Sequence, residues 1–237
     1  MNPASPAKAT DFIDSILSLK PRNAAFDCDG TLWWGDAGEG FFSWELEQGL
    51  VSEEIARWAR ARYSDYKAGK VSEEVICGEM VTMHRGLTEA EVRRAATRYF
   101  DKFFVPNIIP EMRELVARLQ AGGCDVWAVS STNEWVIRTA MRHFGIADNR
   151  ILAAAVEIQN GTITDRLTRV PSGPGKPQAI HQTLGRRPDL AFGNSIWDRE
   201  MLETALHPFA VNPNPDLLQI AQKNRWRVYF PDRSAAD

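Results

Sequence analysis

The chain carries, at residues 23–31, the stretch Asn-Ala-Ala-Phe-Asp-Cys-Asp-Gly-Thr, which decides its fold. The first four residues are mostly apolar and predict a short buried strand. The remainder, from Asp27 to Thr31, predicts a polar turn that contains Gly30. A strand that runs directly into such a turn is typical of ligand-binding loops in parallel α/β proteins. The stretch therefore predicts a site at the end of the first strand.

Asp27 and Asp29 are the candidates for chemistry in this turn. Two carboxylates that are two residues apart in an extended segment can point into one cavity. One can then attack a phosphorus atom while the other transfers the proton, provided that a cation offsets the charge of the phosphate. The alternative interpretation is an ordinary Asp-Gly turn without a catalytic role.

Outward from this stretch, strands and helices alternate after Pro110, and Asn160 with Gly161 predicts a hairpin across residues 151–167. Alternation of this kind predicts an α/β fold with a doubly wound, mostly parallel sheet. A short helix at 10–19, capped by Thr10, is expected before the first strand. Further strands are predicted at 124–129, 189–192, 209–211 and 227–230, and further helices at 111–120, 133–144, 176–184 and 214–224.

Residues 33–106 show helical periodicity and no convincing strand. Ser52 and Ser72 each precede two glutamates, which is typical of the start of a helix. Thr88 with Glu91 forms a capping-box pattern. The segment therefore predicts an insert of three or four helices.

The boundaries of this insert divide the chain into two predicted domains. Residues 1–32 and 107–237 form an α/β core domain, and residues 33–106 form a small all-helical domain. The linkers lie near 33–37 and near 105–110, and the second linker carries two prolines. We expect the insert to open and close on these two linkers, which would admit a ligand and then exclude water.

Three further segments place polar side chains at predicted strand ends or helix starts. Ser130 and Ser131 follow a strand, Lys176 follows a loop rich in glycine and proline, and Asn194 and Asp198 follow another strand. Hydroxyl groups at a helix start suit a phosphate oxygen, a lysine offsets phosphate charge, and carboxylate and amide oxygens suit Mg²⁺. The alternative interpretations are an N-cap, a solvated lysine and an acidic first turn of a helix.

The four motifs occur in the order Asp27-x-Asp29-Gly-Thr, Ser130, Lys176 and Gly-Asn-Ser-x-x-Asp198. This order resembles the haloacid dehalogenase superfamily of hydrolases. The helical insert after the first motif resembles the phosphoserine-phosphatase-like branch, which carries a helical C1-type cap on a Rossmann-like core. The resemblance implies a phosphatase, because dehalogenases of the superfamily need no metal and lack an acid at the position of Asp29.

The resemblance also implies a two-step reaction on a phosphate ester. Asp27 would attack the phosphorus atom and become phosphorylated. Asp29 would protonate the departing alcohol and then activate the water that hydrolyses the intermediate. The phosphoryl oxygens would be held by Thr31, Ser130, Ser131 and Lys176.

Mg²⁺ is the cofactor that the resemblance implies. Its ligands would be the Asp27 carboxylate, the main-chain carbonyl of Asp29, Asn194 and Asp198. The family usually has an aspartate where this chain has Asn194, so we expect weaker Mg²⁺ binding. The chain also has Trp197 where the family usually has an asparagine.

Two residues of the insert bear on the substrate. Asp36 falls where the branch has a glutamate near the substrate amine, and Met80 falls where it has the arginine that binds the serine carboxylate. Phosphoserine is therefore disfavoured, and a phosphorylated amino alcohol such as phosphocholine is a hypothesis, because aromatic residues beside acids suit an organic cation. The alternative is that these aromatics pack the insert on the core. They are Trp33, Trp34, Phe41, Phe42 and Trp44.

The composition limits the range of partners. A formal net charge of −3 gives no basic field for nucleic acid, and no apolar run approaches the length of a membrane span. Three cysteines without CxxC spacing, and no apolar signal core, predict a cytoplasmic protein. We therefore expect an enzyme that hydrolyses a small phosphate ester. The alternatives are a degenerate relative that only binds a phosphorylated ligand, which Asn194 favours, and a phosphotransferase.

Overall fold

Seven strands form one sheet in the computed structural model, which describes residues 6–233. The strands are β1 (Asn23–Phe26), β2 (Asp125–Asn133), β3 (Ile151–Gln159), β4 (Thr162–Arg169), β5 (Leu190–Gly193), β6 (His207–Val211) and β7 (Arg227–Tyr229). Their order across the sheet is β4-β3-β2-β1-β5-β6-β7, and each neighbouring pair is parallel except β3 with β4. The winding reverses at β1, as in doubly wound folds, so the predicted fold class is confirmed.

Ten α-helices accompany the sheet within residues 6–233, and four of them lie in the predicted insert. No helix in this part of the chain is long and apolar enough to cross a membrane. The helices are α1 (Pro6–Leu17), α2 (Ala37–Glu47), α3 (Glu53–Lys67), α4 (Glu73–Thr82), α5 (Glu89–Phe103), α6 (Pro110–Ala121), α7 (Glu134–Arg142), α8 (Gly175–Leu184), α9 (Arg199–Thr204) and α10 (Pro215–Asn224).

In β1, β5 and β6 the two faces of the sheet differ, because a phenylalanine points to one face and the alanine next to it points to the other. Phe26, Phe192 and Phe209 stack on one face, with successive ring centroids 4.2 and 4.9 Å apart. Helices α1, α6 and α7 cover this face. Small residues such as Ala25 lie on the other face, which α8, α9 and α10 cover. Trp127 and Val129 of β2 also lie on this face, where α8, which carries Lys176, packs on the sheet.

The turn between β3 and β4 matches the predicted hairpin. Asn160 and Gly161 have φ angles of 51° and 78°, which is the left-handed conformation that this type of two-residue turn requires. The hairpin also binds the insert. Gly86 donates its backbone N–H to the carbonyl of Ile163, Ile163 donates to Leu87, and Glu89 donates to Gly161, each at 2.9 Å. The insert is therefore attached to the core at a third place, in addition to its two linkers.

Helix starts in the insert agree with the sequence patterns. The side chains of Ser52 and Ser72 accept hydrogen bonds from the backbone at the starts of α3 and α4. Thr88 and Glu91 form both hydrogen bonds of a capping box at the start of α5. These caps satisfy backbone donors that have no partner within the helix.

Two boundaries differ from those predicted. The first helix includes Pro6, so Thr10 lies inside it and is not its N-cap. Strand β2 continues to Asn133 with an irregular register after Val129, where a strand end was predicted. Asn133 ends the strand and caps the next helix, because its side chain accepts from the N–H of Val136 at 3.0 Å.

The three hydrogen bonds between insert and hairpin predict how the insert moves. We expect the amides of Gly86, Glu89 and Ile163 to exchange with deuterium at least about tenfold more slowly than the amide of Gly69, because the hairpin stays attached to the insert. The Gly69 amide is the reference because its hydrogen bond, to the carbonyl of Tyr66, lies in an exposed turn. Native-state hydrogen exchange resolved by residue measures this difference. Exchange of all three as fast as Gly69 would mean that the insert detaches and swings on its linkers alone.

Candidate active site

A cavity of about 500 Å³ lies where the carboxyl ends of β1, β2 and β5 face the insert. Ligands bind at such strand ends in doubly wound folds. Most of the residues predicted for the site line this cavity, whereas Thr31 and Asp198 lie behind it and contact residues that line it. The predicted residues that line it are Asp27, Asp29, Asp36, Met80, Ser130, Ser131, Lys176 and Asn194.

Lys176 forms the centre of the site. Its ammonium group donates to Oδ1 of Asp27 at 2.6 Å, to Oδ1 of Asp198 at 2.5 Å and to the carbonyl of Val129 at 3.2 Å. Burial alone would lower the pKa of Lys176, but the carboxylates of Asp198 and Asp27 reverse the shift and hold it above its ordinary value. The lysine is therefore a fully charged, buried cation between two carboxylates.

Asp27 is held through both of its oxygens. The hydroxyl of Thr31 donates to Oδ2 at 2.8 Å, and Lys176 binds the other oxygen. Burial and the neighbouring Asp198 raise the pKa of Asp27, while Lys176 and Thr31 oppose that rise. The carboxylate is thus fixed in orientation at the floor of the cavity.

Asp29 accepts three hydrogen bonds beside Asp27. The indole of Trp33 donates to Oδ1 at 2.9 Å, the N–H of Ala37 donates to the same oxygen at 2.5 Å, and the hydroxyl of Thr132 donates to Oδ2 at 2.8 Å. Burial and the nearby Asp36 carboxylate raise the pKa of Asp29 to about 8. The bonds fix the side chain, and the shift makes its protonated form available near neutral pH.

Asp198 lies behind Lys176. Its Oδ1 accepts from the lysine, and its Oδ2 accepts from the backbone N–H groups of Asn194 and Ser195, each at 2.9 Å. Both oxygens are thus already bonded within the protein.

Asn194 packs directly on the turn that follows β1. Gly30 has a φ angle of +75°, and a Cβ atom built there would lie 1.9 Å from the side-chain nitrogen of Asn194. Glycine at this position therefore allows both the turn and the close approach of Asn194. Within residues 6–233, no group of three or more His, Cys, Asp or Glu residues is arranged to hold a metal ion.

The remaining predicted residues take different places around the cavity. Ser130 is buried, and its hydroxyl accepts from the N–H of Thr132 at 3.1 Å. Asp36 caps α2 by accepting from the N–H of Glu39 at 2.8 Å. Met80 lines the insert side of the cavity.

The aromatic residues considered for binding an organic cation do not line the cavity. Trp33, Phe41 and Phe42 are buried, while Trp34 and Trp44 pack partly buried against the same hydrophobic cluster as Trp33 and Phe41. Phe42 packs within the insert, and the other four belong to the cluster that joins the insert to the core, which is the alternative interpretation. Trp33 also acts at the site through its hydrogen bond to Asp29.

Several residues of the site were missed from the sequence. Thr132 follows the predicted serine motif, and its hydroxyl side chain was the signal that could have identified it. The others come from α3 and α4, where they resemble ordinary polar residues of a helical surface. They are Tyr63, Tyr66, Lys67 and Glu73.

The buried ion pairs of Lys176 are expected to contribute to the stability of the folded protein. The change Lys176→Met leaves the carboxylates of Asp27 and Asp198 buried side by side without a cation. We expect the free energy of unfolding at pH 7 to fall by about 3 kcal/mol or more. The loss should shrink as the pH is lowered, because protonation removes the repulsion between the carboxylates. Urea unfolding at several pH values measures both effects.

Lys67→Met is the matched control for this prediction. Lys67 pairs with Glu39 at 3.1 Å in a partly exposed position. Such a pair contributes about 1 kcal/mol or less to stability. Similar losses in the two variants would contradict the importance that we assign to the buried pairs.

Comparisons with known proteins identify a family and several relatives of similar sequence or fold. A family model described as haloacid dehalogenase-like hydrolase matches residues 24–203. A curated relative, the histidinol-phosphatase of Neisseria meningitidis serogroup C, is 26% identical over 86% of this chain and 96% of its own length.

Solved structures share the fold. A protein of unknown function from Bordetella pertussis superposes with a TM-score of 0.78 and 24% identity, over 88% of this chain and 98% of that one. A phosphoserine phosphatase with an analogue of its phosphoaspartyl intermediate superposes with a TM-score of 0.58 and 18% identity, over 90% of this chain and 95% of its own. With the family model matched from β1 to α9, the chain belongs to the haloacid dehalogenase-like hydrolase family.

Proposed function

We propose that the protein hydrolyses a small phosphate monoester, with Asp27 as the nucleophile. The observation that carries this proposal is the buried Asp27 carboxylate at the floor of the cavity, with Lys176 on one oxygen and Asp29 beside it. A fixed carboxylate next to a cation and a second carboxyl group suits attack on a phosphate. The cavity of about 500 Å³ is large enough for a small metabolite ester.

The proposed reaction has two steps. In the first step, an oxygen of Asp27 bonds to phosphorus, the bond to the ester oxygen breaks, and Asp29 donates its proton to the departing alcohol. In the second step, Asp29 takes a proton from water, the water oxygen bonds to phosphorus, and the bond between phosphorus and Asp27 breaks. The products are the free alcohol and inorganic phosphate, and both aspartates return to their starting states.

The surrounding residues have roles that follow from their contacts. The ammonium group of Lys176 offsets the charge of the transferred phosphoryl group, and Ser130 and Ser131 line the same part of the cavity as phosphate-binding groups. Thr31 orients Asp27 through its hydrogen bond. The raised pKa of Asp29 suits a residue that must first donate and then accept a proton.

Mg²⁺ is the cofactor that we propose for this site. The Asp27 carboxylate, the Asn194 side-chain oxygen and the Asp29 main-chain carbonyl form a set of oxygen donors. Such a set fits this ion, which is often bound by one or two carboxylates together with substrate phosphate. The ion would supply additional positive charge for the phosphoryl group. We propose that Asp198 holds Lys176 and the Asn194 backbone in place rather than binding the ion.

The insert is proposed to cover the substrate. Residues 33–106 would form the domain that closes the cavity, with Asp36 and Met80 on its inner side. Met80 carries no charge for a substrate carboxylate, which disfavours phosphoserine. The Neisseria relative is named for histidinol phosphate, the ester of an amino alcohol, and this name supports a substrate of that size.

Asp27→Asn tests the proposed mechanism. We expect the wild type to hydrolyse p-nitrophenyl phosphate with Mg²⁺ and not with EDTA. We expect Asp27→Asn to lower kcat at least about a thousandfold, because an amide is a poor nucleophile. Circular dichroism and urea unfolding check that the variant is folded. Asp216→Asn, which changes an exposed aspartate of α10, is the control and should keep full activity.

Two results would contradict this mechanism. An active, folded Asp27→Asn variant would show that another residue is the nucleophile. A wild type without activity across divalent metals and pH values would favour a protein that binds a phosphorylated ligand without turnover.

Asn194→Asp tests the proposed metal site. The substitution adds a negative charge while keeping the shape of the side chain, so we expect the dissociation constant for Mg²⁺ to fall at least about tenfold. Calorimetric titration of Mg²⁺ into the protein without substrate measures this change independently of activity. An unchanged dissociation constant would place the ion away from Asn194.

A further inference from the structure

Glu73 is a buried carboxylate in the same cavity that the proposed reaction does not use. Glu73 and Glu74 both belong to the first turn of α4, where acids stabilise a helix through its dipole. Glu74 is exposed, as expected for that role. The exposed fraction of Glu73 is only 7%, and its side chain lines the cavity. Burying a carboxylate costs free energy, and the helix dipole does not explain why Glu73 is buried while Glu74 is exposed.

The partners of Glu73 are hydroxyl groups and not a cation. Ser172 donates its hydroxyl to Oε1 at 2.8 Å, and the hydroxyl of Tyr66 lies 3.4 Å from Oε2. The ammonium group of Lys176 is already used by Asp27, Asp198 and the carbonyl of Val129. Within residues 6–233, the Glu73 carboxylate is therefore hydrogen-bonded but has no ion-pair partner.

Glu73 lies close to the groups that we propose for phosphate binding. Burial raises the pKa of Glu73, while Ser172, Lys176 and Ser131 oppose that rise. The carboxylate thus interacts electrostatically with the ammonium group of Lys176 and through a hydrogen bond with the side chain of Ser131. A phosphate dianion bound by these two residues would have a second negative charge beside it, which is unfavourable unless a cation lies between them.

The same wall of the insert already holds one ammonium group. The Nζ atom of Lys67 lies 5.0 Å from the ring centroid of Tyr63 and 5.9 Å from that of Tyr66, and it pairs with Glu39 at 3.1 Å. This arrangement uses the aromatic faces and an acid in the way that ammonium sites do. Lys67 forms an ion pair with Glu39. Glu73 is a second acid on this wall, and among the described residues it has no ion-pair partner.

We propose that Glu73 receives an ammonium group of the substrate and so selects phosphate esters of amino alcohols that lack a carboxylate. This inference rests on the proposed phosphatase function. The substrate ammonium would lie between Glu73 and the phosphate and would offset both charges. Glu73 and Met80 both line the cavity from α4 and offer no positive charge to a substrate carboxylate, so such a substrate would be rejected.

A pair of esters that differ in one amino group tests this inference. The kcat/KM values with Mg²⁺ are measured for 2-aminoethyl phosphate and for ethyl phosphate, with phosphoserine as the third substrate. We expect the wild type to prefer 2-aminoethyl phosphate over ethyl phosphate by about tenfold or more, which is the usual effect of one hydrogen bond to a charged group. Phosphoserine should be a poorer substrate than 2-aminoethyl phosphate.

Four variants distinguish a role of Glu73 in substrate recognition from a purely structural role. In Glu73→Gln the preference for the amino ester should fall by about tenfold, because the charge is lost and the size is kept. Glu73→Asp should retain more of the preference than Glu73→Gln. Glu74→Gln removes the same charge from the exposed side of the same helical turn and should keep the preference. Ser172→Ala removes the bond to the core but keeps the Glu73 charge, so it should also keep the preference.

Specific results would overturn the inference. If Glu73→Gln and Ser172→Ala lower kcat/KM by the same factor for both esters, the role of Glu73 is only to attach the insert to the core. If the wild type hydrolyses ethyl phosphate and 2-aminoethyl phosphate equally well, the phosphatase function stands and the inference fails. If the wild type hydrolyses no ester, the proposed function fails. The inference about Glu73 is then tested by calorimetric affinities for 2-aminoethyl phosphate and ethyl phosphate. Equal affinities overturn it, and tighter binding of the amino ester supports it.

Discussion

The ammonium group of Lys176 lies out of contact with water and donates to oxygens from three segments of the chain. These segments are the end of β1 with Asp27, the part of β2 near Val129, and the turn after β5 with Asp198. A buried ammonium is tolerated only when its charge and its donors are matched. The fold therefore has to bring the three strand ends together around this lysine, and the same interaction orients the carboxylate that we propose as the nucleophile.

Much of this arrangement could be predicted because parallel strands end at one edge of a sheet. Asp27, Ser130 and Asn194 each follow a predicted strand in the sequence, and the sequence pattern is sufficient to place all three at strand ends. Lys176 was predicted only from the order of motifs, since its local sequence is also that of a solvated lysine. The contacts of Asp198 could not be predicted, because spacing along the chain does not determine which oxygen faces a cation and which faces the backbone.

The insert could be predicted only in part. Helical periodicity and cap residues such as Ser72 indicated where helices begin, and these are local properties of the chain. The rotation of each helix over the core depends on tertiary packing, which periodicity does not describe. For this reason Tyr66 and Glu73 resembled surface residues in the sequence, although they face the cavity. The buried Phe41 shows the reverse case, because its aromatic ring suggested ligand binding and serves packing.

The attachment of the insert to the hairpin has a consequence for how copies of this protein meet in concentrated solution. A sheet edge with free backbone groups can add a strand from another molecule, which is a common route to aggregation. Here the segment around Thr88 bonds to the first part of β4, and the rest of that strand carries the charged residues Asp165, Arg166 and Arg169. The opposite edge, β7, has only three residues. Both edges of the sheet are therefore poor templates for strand addition.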